Sequence, residues 1–150
     1  MSQTRTPARA AAGTAPSASQ TACPCGGQPP GATYAACCAR LIETRQAAPD
    51  ALTLMRSRYT AYVYDNFDYL RSTWHPRTCP PDLADAGDNR ARPRWLGLSI
   101  KRHTAIDEDH AEVEFVARYK IGGRAQRLHE ISRFTRIEGR WRYLDGQLFD

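Results

Sequence analysis

Long hydrophobic runs are missing from this sequence. No apolar stretch approaches the ~20 residues a helix needs to cross a bilayer, so a helical membrane span is excluded. Also missing are a Gly-rich phosphate loop, a Ser nucleophile elbow and a His-acid-His metal motif. Their absence removes the usual signatures of nucleotide binding, acyl transfer and metalloprotease chemistry. A secretory leader needs an apolar core, and Ala10–Ala12 followed by Gly13 and Thr14 is too short and too weak for one. Lysine is scarce: 19 of the 21 basic residues are Arg. The net charge of +5 is thinly spread, +2 over residues 1–22, +1 over 23–48 and +2 over 49–150. Without a basic stripe, nucleic-acid binding is disfavoured.

What is present suits one domain. The chain has 150 residues, 41% hydrophobic and 25% charged, enough to bury a core. Residues 1–22 have no hydrophobic periodicity and are expected to be a disordered tail. Their acid-free, Arg- and Ser-bearing composition is that of a transit peptide, but Pro7 and Pro16 interrupt any amphipathic helix. The expectation is a tail on a cytoplasmic protein. Residues 39–47 can form a short helix. Leu52, Met55, Tyr59 and Tyr62 recur at helical spacing after Pro49 and Asp50, predicting a helix over 50–64. Phe67, Leu70 and Trp74 predict a second that stops before Pro76. Five residues of Pro and Gly make 76–93 a long loop.

The period then changes to two. Leu96, Leu98 and Ile100 alternate, as do Ala111, Val113, Phe115, Ala117 and Tyr119, so strands are predicted over 95–104, 111–121, 125–137 and 140–147. Helices followed by an antiparallel meander make an α+β domain with helices on one face of a curved sheet. Gly122-Gly123 and Glu138-Gly139 are two-residue hairpin signals that set the register. The first places Ala117 opposite Leu128, Phe115 opposite Glu130 and Val113 opposite Ser132. The second places Phe134 opposite Tyr143, Ser132 opposite Asp145 and Glu130 opposite Gln147. Opposed residues share a face. One face thus holds Val113, Phe115, Ala117, Leu128, Phe134, Trp141 and Tyr143 with Glu130, Ser132 and Asp145. The other holds Glu112, Glu114, Arg118, Lys120, Arg127, His129, Arg133 and Arg142.

Four of the five cysteines lie within 16 residues, as Cys23-Pro24-Cys25 and Cys37-Cys38. Disulfides need an oxidising compartment, and adjacent Cys37 and Cys38 cannot bridge each other without strain. Four thiolates on a tight turn and a helix start suit a tetrahedral zinc ion at ~2.3 Å per bond. The ion would also stabilise a segment with few apolar residues of its own. Redox chemistry and unmetallated structural thiols are the competing readings. Cys79, alone in the Pro-rich loop, reads as a free thiol without a role.

Cys23-Pro24-Cys25-Gly26-Gly27 with Tyr34-Ala35-Ala36-Cys37-Cys38 resembles the SEC-C motif, a short zinc knuckle, with an insertion at 28–33. Leu54-Met55-Arg56-Ser57-Arg58-Tyr59-Thr60-Ala61-Tyr62, Thr73-Trp74-His75-Pro76, Glu130-Ile131-Ser132-Arg133-Phe134 and Trp141-Arg142-Tyr143-Leu144-Asp145-Gly146 resemble the YchJ family of bacterial proteins. The resemblance covers residues 23–147. It implies one structural zinc held by Cys23, Cys25, Cys37 and Cys38 in a knuckle over 23–39. Behind it, residues 40–150 would form a cone-shaped domain of the nuclear-transport-factor-two-like (NTF2-like, SnoaL-like) type. Some members carry a second SEC-C motif, which these 150 residues do not contain. The family has no settled biochemical role.

The cone fold commonly encloses a pocket, used differently by different relatives. The residues placed there are Glu130, Ser132 and Asp145, with Tyr143, Trp74 and His75 nearby and Arg56 and Arg58 from the covering helix. A carboxylate in an apolar wall can serve as a general acid or base, so a small-molecule isomerase, dehydratase or hydrolase is one reading. The competing reading makes Glu130 or Asp145 the structural partner of Arg56 or Arg58. The favoured function is a non-catalytic protein-interaction module. Its knuckle, with Arg40 and Arg45 beside it, would meet an acidic protein partner, and resemblance to the secretion machinery implies a chaperone- or ribosome-associated one. RNA binding is a weaker third reading.

Overall fold

The computed structural model describes residues 20–83 and 93–149. Most of the expected tail and the stretch 84–92 of the expected loop lie outside them. The described elements are α1 (Ala39–Ile42), α2 (Ala51–Val63), α3 (Phe67–Ser72), β1 (Arg94–Asp107), β2 (His110–Ile121), β3 (Arg124–Ile137) and β4 (Arg140–Phe149). The strands form one antiparallel sheet in the order β1-β2-β3-β4. Register shifts at Trp95/Gly97, Ile100/Arg102 and Ala105/Asp107 break the β1–β2 ladder, and such bulges bend and twist a strand.

The helix between the two layers is α2. Asp50 caps it, its carboxylate accepting from the Thr53 amide at 2.8 Å, an interaction typically worth ~1 kcal/mol. Its residues are not amphipathic in the ordinary way, because Ser57, Arg58 and Thr60 are buried along with Leu54, Met55, Tyr59 and Ala61. One side of α2 faces the cysteine cluster and the other faces the sheet. Buried polar groups therefore need local partners. Ser57 bonds the Leu54 carbonyl and the Tyr69 hydroxyl, each at 2.7 Å. The first helix is shorter than the 39–47 expected: it ends at Ile42, and Arg45 turns the chain at φ 59°.

Both hairpin turns have two consecutive residues at positive φ, Gly122 and Gly123 and then Glu138 and Gly139. That geometry matches the right-handed strand twist and fixes the pairing next to each turn. The β2–β3 register is the expected one, with Ala117 opposite Leu128, Phe115 opposite Glu130 and Val113 opposite Ser132. Val113, Phe115, Ala117 and Phe134 are almost completely buried under the helices. The β3–β4 register starts as expected, Phe134 opposite Tyr143, and then slips. Leu144 is an extra residue in β4, so Asp145 lies opposite Arg133 and Gly146 opposite Ser132. A bulge of one residue moves everything beyond it to the other face.

Beyond α3 the chain is sewn to β4. Tyr143 donates its amide to the Thr73 carbonyl and accepts from the His75 amide, both at 2.8 Å. Residues 20–22, expected in the tail, are instead joined to the cysteine segment. Ala22 bridges Thr33, and the Tyr34 amide donates to the Thr21 carbonyl.

Candidate metal centre and adjoining cavity

The cysteine cluster is held by a short loop and the start of α1. The Cys23 amide donates to the Ala32 carbonyl, and the Gly31 amide to the Gly26 carbonyl, which closes the insertion on itself. Gly27 sits at φ 89°, and a Cβ there would come within 2.5 Å of the Ala32 nitrogen, so only glycine fits. This fold brings the Sγ atoms of Cys23, Cys25, Cys37 and Cys38 within 4.8 Å of one another, with each residue only 1–3% exposed. The Cys23–Cys25 and Cys25–Cys37 sulfur distances are 3.6 Å and Cys37–Cys38 is 3.9 Å. A tetrahedral zinc tetrathiolate with ~2.3 Å bonds has sulfur–sulfur edges of about 3.8 Å. The residues present fit such an ion.

The electrostatics agree. The Cys25 and Cys38 thiols donate to Cys23 and pull its pKa far below the ordinary thiol range. The same hydrogen bond to Cys23 pushes Cys25 up to about 11, and Cys38 is raised too, with burial opposing further ionisation. Left to themselves, four buried thiols accept one negative charge readily and resist the next. A divalent cation removes that resistance. Other groups already point at the sulfurs. The Gly27 amide donates to Cys25 Sγ and Thr60 Oγ1 to Cys38 Sγ, each at 3.3 Å. Thr60 Oγ1 also lies 3.7 Å from Cys23 Sγ.

Arg56 belongs to this centre and not to the pocket where it was expected. Its guanidinium donates to the Cys25 carbonyl at 2.8 Å, and its buried Nε has no acceptor among the described residues. On α2, residues 56 and 58 point about 200° apart, so one reaches the cluster and the other the sheet.

The sheet side encloses a cavity of about 220 Å³. Arg58, Trp74, Glu130, Ser132 and Tyr143 line it, and Met55, Tyr59, Tyr62, Trp95, Phe115, Ala117 and Leu128 complete the wall. The stripe Met55, Tyr59, Tyr62 was the sequence signal for that wall. Arg58 is 3% exposed. It donates to the Leu70 carbonyl at 2.9 Å and to Thr73 Oγ1 at 2.6 Å, and its guanidinium stands over the rings of Trp74 and Tyr143 at 4.8 and 4.7 Å. Burial lowers its pKa, while nearby Tyr62 and Tyr143 oppose that fall. No ion pair with Glu130 forms among the described residues. Glu130 Oε2 instead accepts from Ser132 Oγ at 2.6 Å and from the Tyr143 hydroxyl at 3.0 Å. Burial, and then the Glu130 charge, raise the Tyr143 pKa, keeping the phenol protonated as a donor.

Besides Arg56, two expected pocket residues are elsewhere. The Leu144 bulge turns Asp145 to the outer face, where Arg133 binds it through two hydrogen bonds of 2.6 and 2.5 Å. Arg133 lowers the Asp145 pKa. His75 leaves the cavity because its amide is tied to Tyr143, and its Nδ1 accepts from the Arg77 amide at 3.0 Å. One residue was missed altogether. A Cβ on Gly146 would lie 2.0 Å from Glu130 Oε2, so the carboxylate occupies the space a side chain would fill. An isolated glycine inside a strand pattern is the signal that could have found it.

Comparison with known proteins gives the same architecture. Residues 50–146 match the family described as YchJ, middle NTF2-like domain. A UPF0225 protein of Cupriavidus pinatubonensis is 54% identical over 140 residues, covering 89% of this chain and 92% of its own length. A UPF0225 protein of Bordetella parapertussis is 51% identical, covering 89% and 97%. Among solved structures, the chain is similar to a SEC-C motif containing protein from Rhodopseudomonas palustris. That protein has a TM-score of 0.74 at 33% identity, over 87% of this chain and all of that one. A SEC-C motif containing protein from Psychrobacter arcticus has a TM-score of 0.74 at 26% identity, over 89% and 85%.

Proposed function

This chain belongs to the YchJ family, UPF0225, and from that membership and the site geometry we propose that it is a zinc-stabilised, non-catalytic protein-interaction module built on an NTF2-like domain. The observation that carries the reading is the convergence of four buried thiols at tetrahedral spacing. Four protein ligands leave no open position for a reacting water, which is the arrangement of a structural zinc and not a catalytic one. Held there, the ion would join the 20–38 segment to α2 through Thr60 and Arg56.

With Asp145 on the outer face and His75 tied to Arg77, the contacts of Glu130 among the described residues are the Ser132 and Tyr143 hydroxyls. On the outer sheet face, Arg102 pairs with Glu114 and Arg133 with Asp145, which weakens the RNA reading.

The surface beside the knuckle shapes the partner. A groove there is lined by Tyr34, Ile42 and Tyr64 with Glu43 and Asp68, Asp68 being paired with Arg71 at 3.7 Å. Arg45 is directed away, onto Ser72 and the Tyr69 ring. A basic segment of a partner protein suits that groove.

The test is metal content with thiol counting before and after chelation. One zinc per chain with Cys23, Cys25, Cys37 and Cys38 protected is expected. No metal and four reactive thiols refute the centre. For the groove, a labelled Lys/Arg-rich peptide should bind with an affinity that falls with salt and is lost in a Glu43→Arg, Asp68→Arg variant. Binding that survives the charge reversal refutes the groove.

A further inference from the structure

The NTF2-like cavity carries a buried cation on its wall. Arg58 is a charge buried at the cavity wall with no carboxylate partner among the described residues. Arginine presents five N–H donors in a planar fork. Nη1 is used by the Leu70 carbonyl and Thr73 Oγ1, and the Tyr62 hydroxyl also interacts with the guanidinium. Among the described residues, no carboxylate takes the bidentate position that such a fork is shaped for. Across the same cavity, Glu130 has both of its hydrogen bonds on Oε2, and Oε1 has none among the described residues. The space between is aromatic, with Tyr59, Trp74, Trp95 and Phe115 on the walls. Trp74 Nε1 is a buried donor without an acceptor among the described residues.

We propose that this cavity is a binding site for a small aromatic carboxylate bearing a hydrogen-bond donor, its carboxylate on Arg58 and its hydroxyl or amino group on Glu130. The charge pattern excludes the alternatives. A neutral ligand leaves the Arg58 charge without a counter-ion, and a dianion meets Glu130. Size selects as well. At ~30 Å³ per water, 220 Å³ corresponds to about seven waters, which suits one substituted ring and not a nucleotide or a lipid. The site lies across α2 from the cysteine cluster and does not involve the metal.

The experiment is calorimetric titration of the metal-loaded protein with 4-hydroxybenzoate, 3-hydroxybenzoate and indole-3-carboxylate, each paired with its carboxamide. At least one acid should bind about tenfold or more tightly than its amide, and benzoate, lacking the donor, should bind more weakly than the hydroxybenzoates. The Trp74 and Trp95 indole resonances should shift in NMR spectra on binding. Arg58→Met should abolish the preference for acid over amide, and Glu130→Gln should reduce the preference for the hydroxyl. Should Arg58→Met fail to fold, the acid–amide comparison on the unaltered protein decides alone. Equal binding of acids and amides, or no binding of any probe up to about 10 mM, overturns the proposal.

Discussion

Replacing Gly146 with alanine tests how the cavity is built. The new Cβ would lie 2.0 Å from Glu130 Oε2, 2.5 Å from Cδ and 2.9 Å from Cγ, far inside any tolerable contact. The obstructing group is the end of a side chain, so the carboxylate must swing away. It then loses the 2.6 Å bond from Ser132 and the 3.0 Å bond from Tyr143. Ser132 is 1% exposed, so its hydroxyl is left without water. Hydrogen bonds to a charged group contribute about 1.5–3 kcal/mol each, and an orphaned buried donor costs about 1–3 kcal/mol. Glu130 is itself partly exposed, which favours the lower end, so Gly146→Ala should destabilise by about 2–4 kcal/mol. The assay is urea unfolding, followed by tryptophan fluorescence at constant zinc, of a four-member cycle with Glu130→Ala. Once Glu130 is alanine, the methyl at 146 has nothing to displace. The double variant should therefore be more stable than the sum of the single losses predicts, by about 1–3 kcal/mol. Losses that add within about 0.5 kcal/mol would refute the claim that the glycine exists to seat the carboxylate.

The other predictions concern the centre and the outer face. Cys25→Ser should abolish stoichiometric zinc and loosen the 20–38 segment, seen as faster amide exchange at Cys23, Gly31 and Tyr34; unchanged metal content would count against the ligand set. Arg56→Met should lower zinc affinity about 10–100-fold in a chelator competition, because it removes a cation bound to the Cys25 carbonyl beside four thiolates. Asp145→Asn should cost less than about 1 kcal/mol, because the Arg133–Asp145 pair has side chains 58% and 40% exposed and is screened. Since Arg133 lowers the Asp145 pKa, the pair's contribution is present above the ordinary carboxylate range and is lost as pH falls through the lowered value. The native protein and the variant should therefore converge in stability in acid, and a loss of several kcal/mol at pH 7 would put Asp145 back among the buried groups.

The sequence by itself determined whatever depends on near neighbours along the chain. The four clustered cysteines lie within 16 residues, so a tight loop suffices to bring them together. Gly122-Gly123 joins β2 to β3 in two residues, and pairing propagates from the turn to Val113 and Ser132 without interruption. Asp50 announces α2 by its own hydrogen bond. The tertiary structure decided the rest, and in each case the reason is a contact between distant segments. The Leu144 bulge carries no local marker except Gly146, and it is set where Tyr143 is stitched to Thr73 and His75 on one side and Glu130 fills the place of a side chain on the other. That one extra residue moved Asp145 from the cavity to the surface. Arg56 and Arg58 are indistinguishable as residues of one helix. Their roles differ because α2 is packed between two layers, and only the packing says which arginine meets the cysteines and which is buried beside Trp74 and Tyr143.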